Sequence, residues 1–140
     1  MAGKTFKVEV VTPERTHYSA DAESLMAPAH EGYLGVLSGH HPMLCTLQPG
    51  EVRVRTAKGE DHLAVSGGFL EVSGIAVIVL ADAAEHVSQI DLARAQKSAA
   101  RAKDRLAGRP SASVDRDRAE AALARADNRI SLAKRFGGRA

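Results

Sequence analysis

Apolar and polar residues alternate through Phe6-Lys7-Val8-Glu9-Val10-Val11 and break at Thr12-Pro13, the pattern of a half-buried strand that ends in a turn. The alternation returns in Glu51-Val52-Arg53-Val54-Arg55 and in His62-Leu63-Ala64-Val65, and in a more apolar form in Ile75-Ala76-Val77-Ile78-Val79-Leu80. Between these runs stand Gly32, Gly35, Gly39, Pro42, Pro49-Gly50, Gly59, Gly67-Gly68 and Gly74, which read as turns. Short strands with frequent turns predict an antiparallel β sandwich or barrel over roughly the first 85 residues.

From Ile90 the period changes from 2 to 3.6. Leu92, Ala95, Ala99, Ala102 and Leu106 follow one another at helical spacing and fall on one helix face. Ser88 is a suitable N-cap, and Asp91 suits the positive end of the helix dipole. Gly108-Arg109-Pro110 stops the helix, Gly by adopting the left-handed cap and Pro by lacking the donor. After Ser111-Ala112-Ser113 a second helix carries Ala119, Ala122, Ala126, Ile130 and Ala133 along one face. So short a turn makes the two helices antiparallel neighbours. Their shared seam is mostly Ala, a strong helix former that buries little apolar surface, so the helices form readily and dock weakly. The chain thus divides into an α+β pair of segregated parts, residues 1–87 in strands and 88–140 in a helical hairpin.

Charge sharpens this division. The whole chain carries only +2, but residues 1–89 carry −5 and residues 90–140 carry +7. A basic helical half suits a polyanion, an acidic protein surface or nucleotide phosphates, and also a plain solvated face. The composition, 44% hydrophobic and 26% charged, is that of a soluble globular chain, with no apolar run long enough for a bilayer. Met1-Ala2-Gly3-Lys4-Thr5 has neither the apolar stretch of a secretion signal nor the Arg/Ser bias of a transit peptide, which points to a cytoplasm. Cys45 is the single cysteine, so a disulfide within the chain and a Cys-based zinc site are both excluded.

Enzyme signatures are absent. Ser66-Gly67-Gly68 lacks the Lys of a phosphate loop and reads as a tight turn with close backbone approach. His30, His40, His41 and His62 do not have the spacing of metal ligands, and Glu31 and Glu51 are not set up as an acid/base pair. Val36, Leu37, Met43, Leu44 and Leu47 are too many for ordinary exposed turns and divide between core and a docking surface. Arg15, Arg53 and Arg55 read as a solvated strand face.

Five segments in order, Gly32-Tyr33-Leu34-Gly35-Val36-Leu37, Gly39-His40-His41-Pro42, Leu47-Gln48-Pro49-Gly50, Val65-Ser66-Gly67-Gly68-Phe69-Leu70-Glu71-Val72 and Ala81-Asp82-Ala83-Ala84-Glu85, resemble the epsilon subunit of F-type ATP synthase of bacterial type. With the helical hairpin that follows, the resemblance covers nearly the whole chain. Ser38 stands where that family usually has Pro, His41 where a small residue is common, and Tyr33 where an acid is frequent.

The resemblance implies a sandwich of about ten strands and a C-terminal helix-turn-helix. It implies a non-catalytic rotor subunit in the central stalk, with no required cofactor. Its partners would be the gamma subunit, the c-ring subunits and, with the helices extended, the alpha/beta catalytic head, where they inhibit ATP hydrolysis. The place implied is the cytoplasmic face of the bacterial inner membrane, peripheral and held through partners. Glu31, Tyr33, Leu34, His40, Met43 and Leu44 match interface positions. Ile90, Asp91, Arg94 and Ala95 match an Ile/Leu-Asp-x-x-Arg-Ala motif that binds regulatory ATP in several members, and Glu85, Arg101, Arg125 and Arg129 match further positions of that site. Independently, Arg94 and Arg101 are seven apart and Arg125 and Arg129 four apart, so each pair shares a helix face, and forked guanidinium donors suit phosphate oxygens. The alternative is a basic nucleic-acid-binding or adaptor module. It is weakened by Phe136 being the one aromatic residue of the helical half, which leaves no stacking platform.

Overall fold

The computed structural model describes residues 4–108 and 113–136. It divides into two compact units, Met1–His86 and Val87–Ala140. The first unit holds β1 (Phe6–Val11), β2 (Thr16–Ala22), β3 (Ser24–Ala29), β4 (Gly32–Leu37), β5 (Met43–Thr56), β6 (Gly59–Val72), β7 (Ala76–Ala81) and β8 (Ala84–His86). These eight strands join in one sheet of order β2-β1-β7-β6-β5-β3-β4, with β8 added beside β6. The expected ten is therefore about eight, because β5 and β6 run for 14 residues each. Each passes straight through a position that the sequence marks as a turn: Pro49-Gly50 pairs with Ser66 and Val65 inside the ladder, and Gly68 pairs with Leu47. All pairings but one are antiparallel; β1 lies parallel to β7, with Val8 opposite Val77 and Val10 opposite Val79.

The alternation of the sequence is the alternation of burial. Val8 and Val10, Val52 and Val54, Leu63 and Val65, Leu70 and Val72, and Val77 and Val79 all point into one continuous core with Leu25, Val36 and Leu47. Leu37 and Leu44, by contrast, stay about two-thirds exposed.

The second unit begins with a 3-10 turn, Val87–Gln89, and holds α1 (Leu92–Ala107) and α2 (Ser113–Phe136). The N-cap of α1 is Asp91 and not Ser88: its backbone is extended, and its Oδ1 accepts the N–H of Arg94 at 3.1 Å. At the other end Gly108 donates its N–H to the Asp104 carbonyl at 3.0 Å with φ −82, so the stop uses no left-handed glycine. Arg109, Pro110, Ser111 and Ala112 lie outside the described residues. Ala95, Ala99 and Ala102 of α1 and Ala119, Ala126 and Ala133 of α2 are buried, as the periodicity predicts, and Leu132 joins them. Leu92, Leu106, Ala122 and Ile130 are half-buried. Because α2 packs along α1 and reaches back to the 3-10 turn that precedes it, the two helices are antiparallel.

The Asp91 cap carries a measurable consequence. Replacing it with Ala removes the acceptor for an otherwise unsatisfied helix N–H and costs the helical unit ~1 kcal/mol, whereas Asn keeps the cap to within a few tenths. Thermal melts followed at 222 nm check this, and equal losses for Asp91→Ala and Asp91→Asn would show that the cap is not what Asp91 contributes.

Candidate functional site

The run Ile90 to Ala95 separates into residues that build the structure and one that does not. Ile90 and Ala95 are fully buried, and the half-buried Asp91 caps α1. Arg94 extends from the first turn of α1, exposed, and makes no salt bridge to a described residue.

Three more guanidinium groups belong to the same flank. Arg94 directly precedes buried Ala95, Arg101 precedes buried Ala102, and Arg125 precedes buried Ala126. In an antiparallel pair, a half-turn about the axis perpendicular to the plane of the helices exchanges them and keeps each flank on its own side. Residues one before the seam on either helix therefore share a side. Arg129 follows Arg125 by one helical turn, lies closer to the seam and is half-buried. The hairpin thus gathers Arg94, Arg101, Arg125 and Arg129 on one side. Arg101 is steadied by a hydrogen bond that its Nη2 donates to Ser98 Oγ at 3.1 Å. Forked, permanently charged donors arranged this way recognise phosphate oxygens. Glu85, the remaining residue matched to this site, is half-buried on β8 of the first unit, opposite Ala64.

The residues matched to a subunit interface lie on one stretch of chain. Glu31 is exposed in the turn between β3 and β4. Tyr33, 55% exposed on β4, accepts the Glu51 N–H through its hydroxyl at 3.2 Å, so its ring is held in place while open to solvent. Leu34 is half-buried and packs on the core. His40 follows β4 in a turn, its Nδ1 2.7 Å from the His41 carbonyl oxygen. Met43 and Leu44 open β5, the first against the core and the second 66% exposed. Tyr33, Leu37 and Leu44 are large apolar side chains left exposed along this stretch, as residues of a docking surface can be.

One polar cluster was not legible in the sequence. Glu51 is buried to 5% exposure and receives the Arg53 Nη2 at 3.1 Å, while His62 Nδ1 lies 2.8 Å from its other oxygen. Arg53 is thus not part of a solvated face, because cross-strand register sets His62 opposite Arg53 and builds a network over β5 and β6. Arg55 does remain outside, paired with Glu60 at 2.9 Å; that hydrogen bond lowers the pKa of the Glu60 carboxyl. A second cluster joins three strands: the Tyr18 hydroxyl donates to Asp61 at 2.6 Å, and His86 Nε2 is 3.8 Å from the same carboxylate. Burial and then the Asp61 contact raise the pKa of the Tyr18 phenol, which stays neutral and serves as a donor. Both clusters tie strands together and present no nucleophile. Among the described residues no group of three or more His, Cys, Asp and Glu could hold a metal ion, and no helix is long and apolar enough to cross a membrane.

Comparison with known proteins assigns both units. Residues 5–87 match the family described as ATP synthase, Delta/Epsilon chain, beta-sandwich domain, and residues 88–134 match ATP synthase, Delta/Epsilon chain, long alpha-helix domain. The chain is 45% identical over 130 residues to an ATP synthase epsilon chain of Moorella thermoacetica, covering 92% of this chain and 96% of that one. It is 46% identical over 130 residues to that of Bacillus velezensis, covering 93% and 98%. Among solved structures, a chain of the Euglena gracilis mitochondrial ATP synthase (OSCP/F1/c-ring) superposes with a TM-score of 0.77 at 21% identity, over 91% of this chain and 81% of that one. At that identity the likeness speaks for the fold. The curated relatives carry the assignment: the chain belongs to the ATP synthase delta/epsilon chain family, as an epsilon chain, a non-catalytic subunit of the central stalk.

Proposed function

We propose that the sandwich unit docks on the gamma subunit and the ring of c subunits through the surface around Glu31, Tyr33, Leu34, His40, Met43 and Leu44, and that it couples proton-driven rotation to ATP synthesis. The exposure of Leu37 and Leu44 and the anchored, exposed Tyr33 support this use of that stretch of chain. The helical hairpin is the regulatory arm. Extended, it enters the alpha/beta head and inhibits ATP hydrolysis; closed, it is held by ATP. In this reading the complex lies at the cytoplasmic face of a bacterial inner membrane, and the subunit is peripheral through its partners.

The observation that carries the ATP reading is Arg94, exposed in a run whose other matched residues, Ile90, Asp91 and Ala95, have structural work. Bound phosphate also screens the mutual repulsion of the guanidinium groups on that flank. The alanine seam fits a switch, since each buried methyl contributes ~0.8 kcal/mol against ~1.5–3 for a buried Leu. A seam that weak lets ligand and partners decide the conformation. Calorimetry of the full chain with magnesium-free and magnesium-bound ATP tests the reading. Heat of binding and a rise in melting temperature are expected, and neither appearing at millimolar ATP would end the sensing proposal.

A further inference from the structure

The basic flank is longer than a nucleotide needs. Arg118 directly precedes buried Ala119, the same relation that Arg94, Arg101 and Arg125 have to their alanines. Arg105 follows Arg101 by one helical turn, as Arg129 follows Arg125. Six arginines therefore line one side of the hairpin, and the run from Arg94 to Arg105 alone is ~16 Å at the helical rise. A triphosphate at the Arg94 end does not reach Arg105 and Arg118 at the turn end.

The remaining cations show that this is a sorted flank. Lys103, Arg116 and Lys134 fall on the opposite flank and Lys97 and Arg135 on the outer face, by helical position relative to the buried alanines. Arg116 on that other flank has a carboxylate partner, Glu120, at 3.3 Å. Arg105 and Arg118 are exposed and make no salt bridge to a described residue. Arg105 in the last turn of α1 gains from the helix dipole, whereas Arg118, in the second turn of α2, lies past the reach of that helix's N-terminal dipole. A side that excludes Lys and keeps Arg matches bidentate recognition of oxyanions.

We infer that this flank is a binding strip for a condensed phosphate chain longer than three units, with Arg105 and Arg118 holding the part that extends beyond the nucleotide site. The strip shares Arg94, Arg101, Arg125 and Arg129 with the ATP reading and in that sense rests on it. Its own content is the pair at the turn end.

Calorimetry of the full chain at physiological salt with ATP, inorganic tripolyphosphate and a linear polyphosphate of about ten units, long enough for the ~16 Å run, tests this. The longer chain is expected to bind at least about tenfold tighter than tripolyphosphate. Arg105→Gln with Arg118→Gln should abolish that preference and leave tripolyphosphate binding unchanged. Lys97→Gln with Lys103→Gln removes the same charge from other faces and should leave the preference intact. Helix content by circular dichroism confirms folding of each variant. Absence of a length preference in the wild type, its survival in the arginine variant, or equal loss in both variants overturns the inference. Binding of the long chain without ATP binding leaves the strip standing and removes the ATP reading; ATP binding without length preference does the reverse.

Discussion

Gly68→Ala is expected to remove a large part of the sandwich unit's stability. Gly68 has φ +125, a conformation that side chains rarely adopt, and a Cβ there would overlap the Leu80 carbonyl oxygen and come within 2.9 Å of the Ala81 Cα. Both obstacles are backbone of the neighbouring strand, which cannot rotate away. Strain at such a φ costs ~1–3 kcal/mol and overpacking a further ~1–3 kcal/mol. Against a total of ~5–15 kcal/mol for a domain, the melting temperature should fall by roughly 10 °C or more. Gly59→Ala is the comparison: its φ is +134, but the added Cβ meets nothing within 4 Å, so it bears only the backbone strain. Melts of the two variants separate the terms. A Gly68→Ala loss no larger than that of Gly59→Ala would mean that β7 moves aside freely.

The second large effect concerns the ligand. Arg94→Ala and Arg125→Ala each remove an exposed guanidinium from the basic flank proposed to bind ATP, and charge-assisted hydrogen bonds of this kind are worth ~1.5–3 kcal/mol. ATP affinity should fall by about 10- to 100-fold in either variant. Neither side chain packs in the seam, so the melting temperature without ATP should stay within a degree or two of wild type while the ATP-dependent rise disappears. Arg116→Ala, on the opposite flank and paired with Glu120, should keep that rise. If Arg116→Ala weakened ATP as much as Arg94→Ala, the binding would be general attraction to a basic hairpin.

The helices were the most legible part of the chain because a 3.6-residue period is local: Ala95, Ala99, Ala102, Ala119, Ala126 and Ala133 are buried where their spacing places them. The sheet was legible in its faces and not in its strand lengths. Pro49-Gly50 has the composition of a turn, yet β5 continues through it, paired with Ser66 and Val65 of β6, and the glycine leaves room for Pro28 of β3, whose Cβ would lie 2.5 Å from an added Cβ. Gly67-Gly68 was read correctly as a place of close backbone approach and incorrectly as a turn, since the approach is made by β7 from across the ladder. The parallel pairing of β1 with β7 joins residues about 69 apart in sequence, which no local period reports.

The same distinction holds for the site. Motif and spacing single out Arg94, Arg101, Arg125 and Arg129, and Asp91 suits the helix start. That Asp91 is itself the cap, with Ser88 outside the helix, emerges only from the Arg94 N–H bond. The repeated Arg-Ala pair at 94, 101, 118 and 125 stands in the sequence, but only the packing of α1 on α2 puts the four arginines on one flank. The burial of Glu51 is not legible locally, since nothing in its neighbourhood of sequence shows that His62 and Arg53 converge on it.

Membership of the epsilon chain family gives the sandwich unit its place in the enzyme, and the account's central claim is that the hairpin is a separable regulatory arm. The most direct measurement is ATP hydrolysis by the complex reconstituted with the full chain or with residues 1–86, at low and at millimolar ATP. With the full chain, hydrolysis should be inhibited at low ATP and relieved as ATP rises. With residues 1–86 the complex should still assemble, and its hydrolysis should be high from the outset with no such relief. Equal hydrolysis by the two complexes at every ATP concentration would contradict the claim.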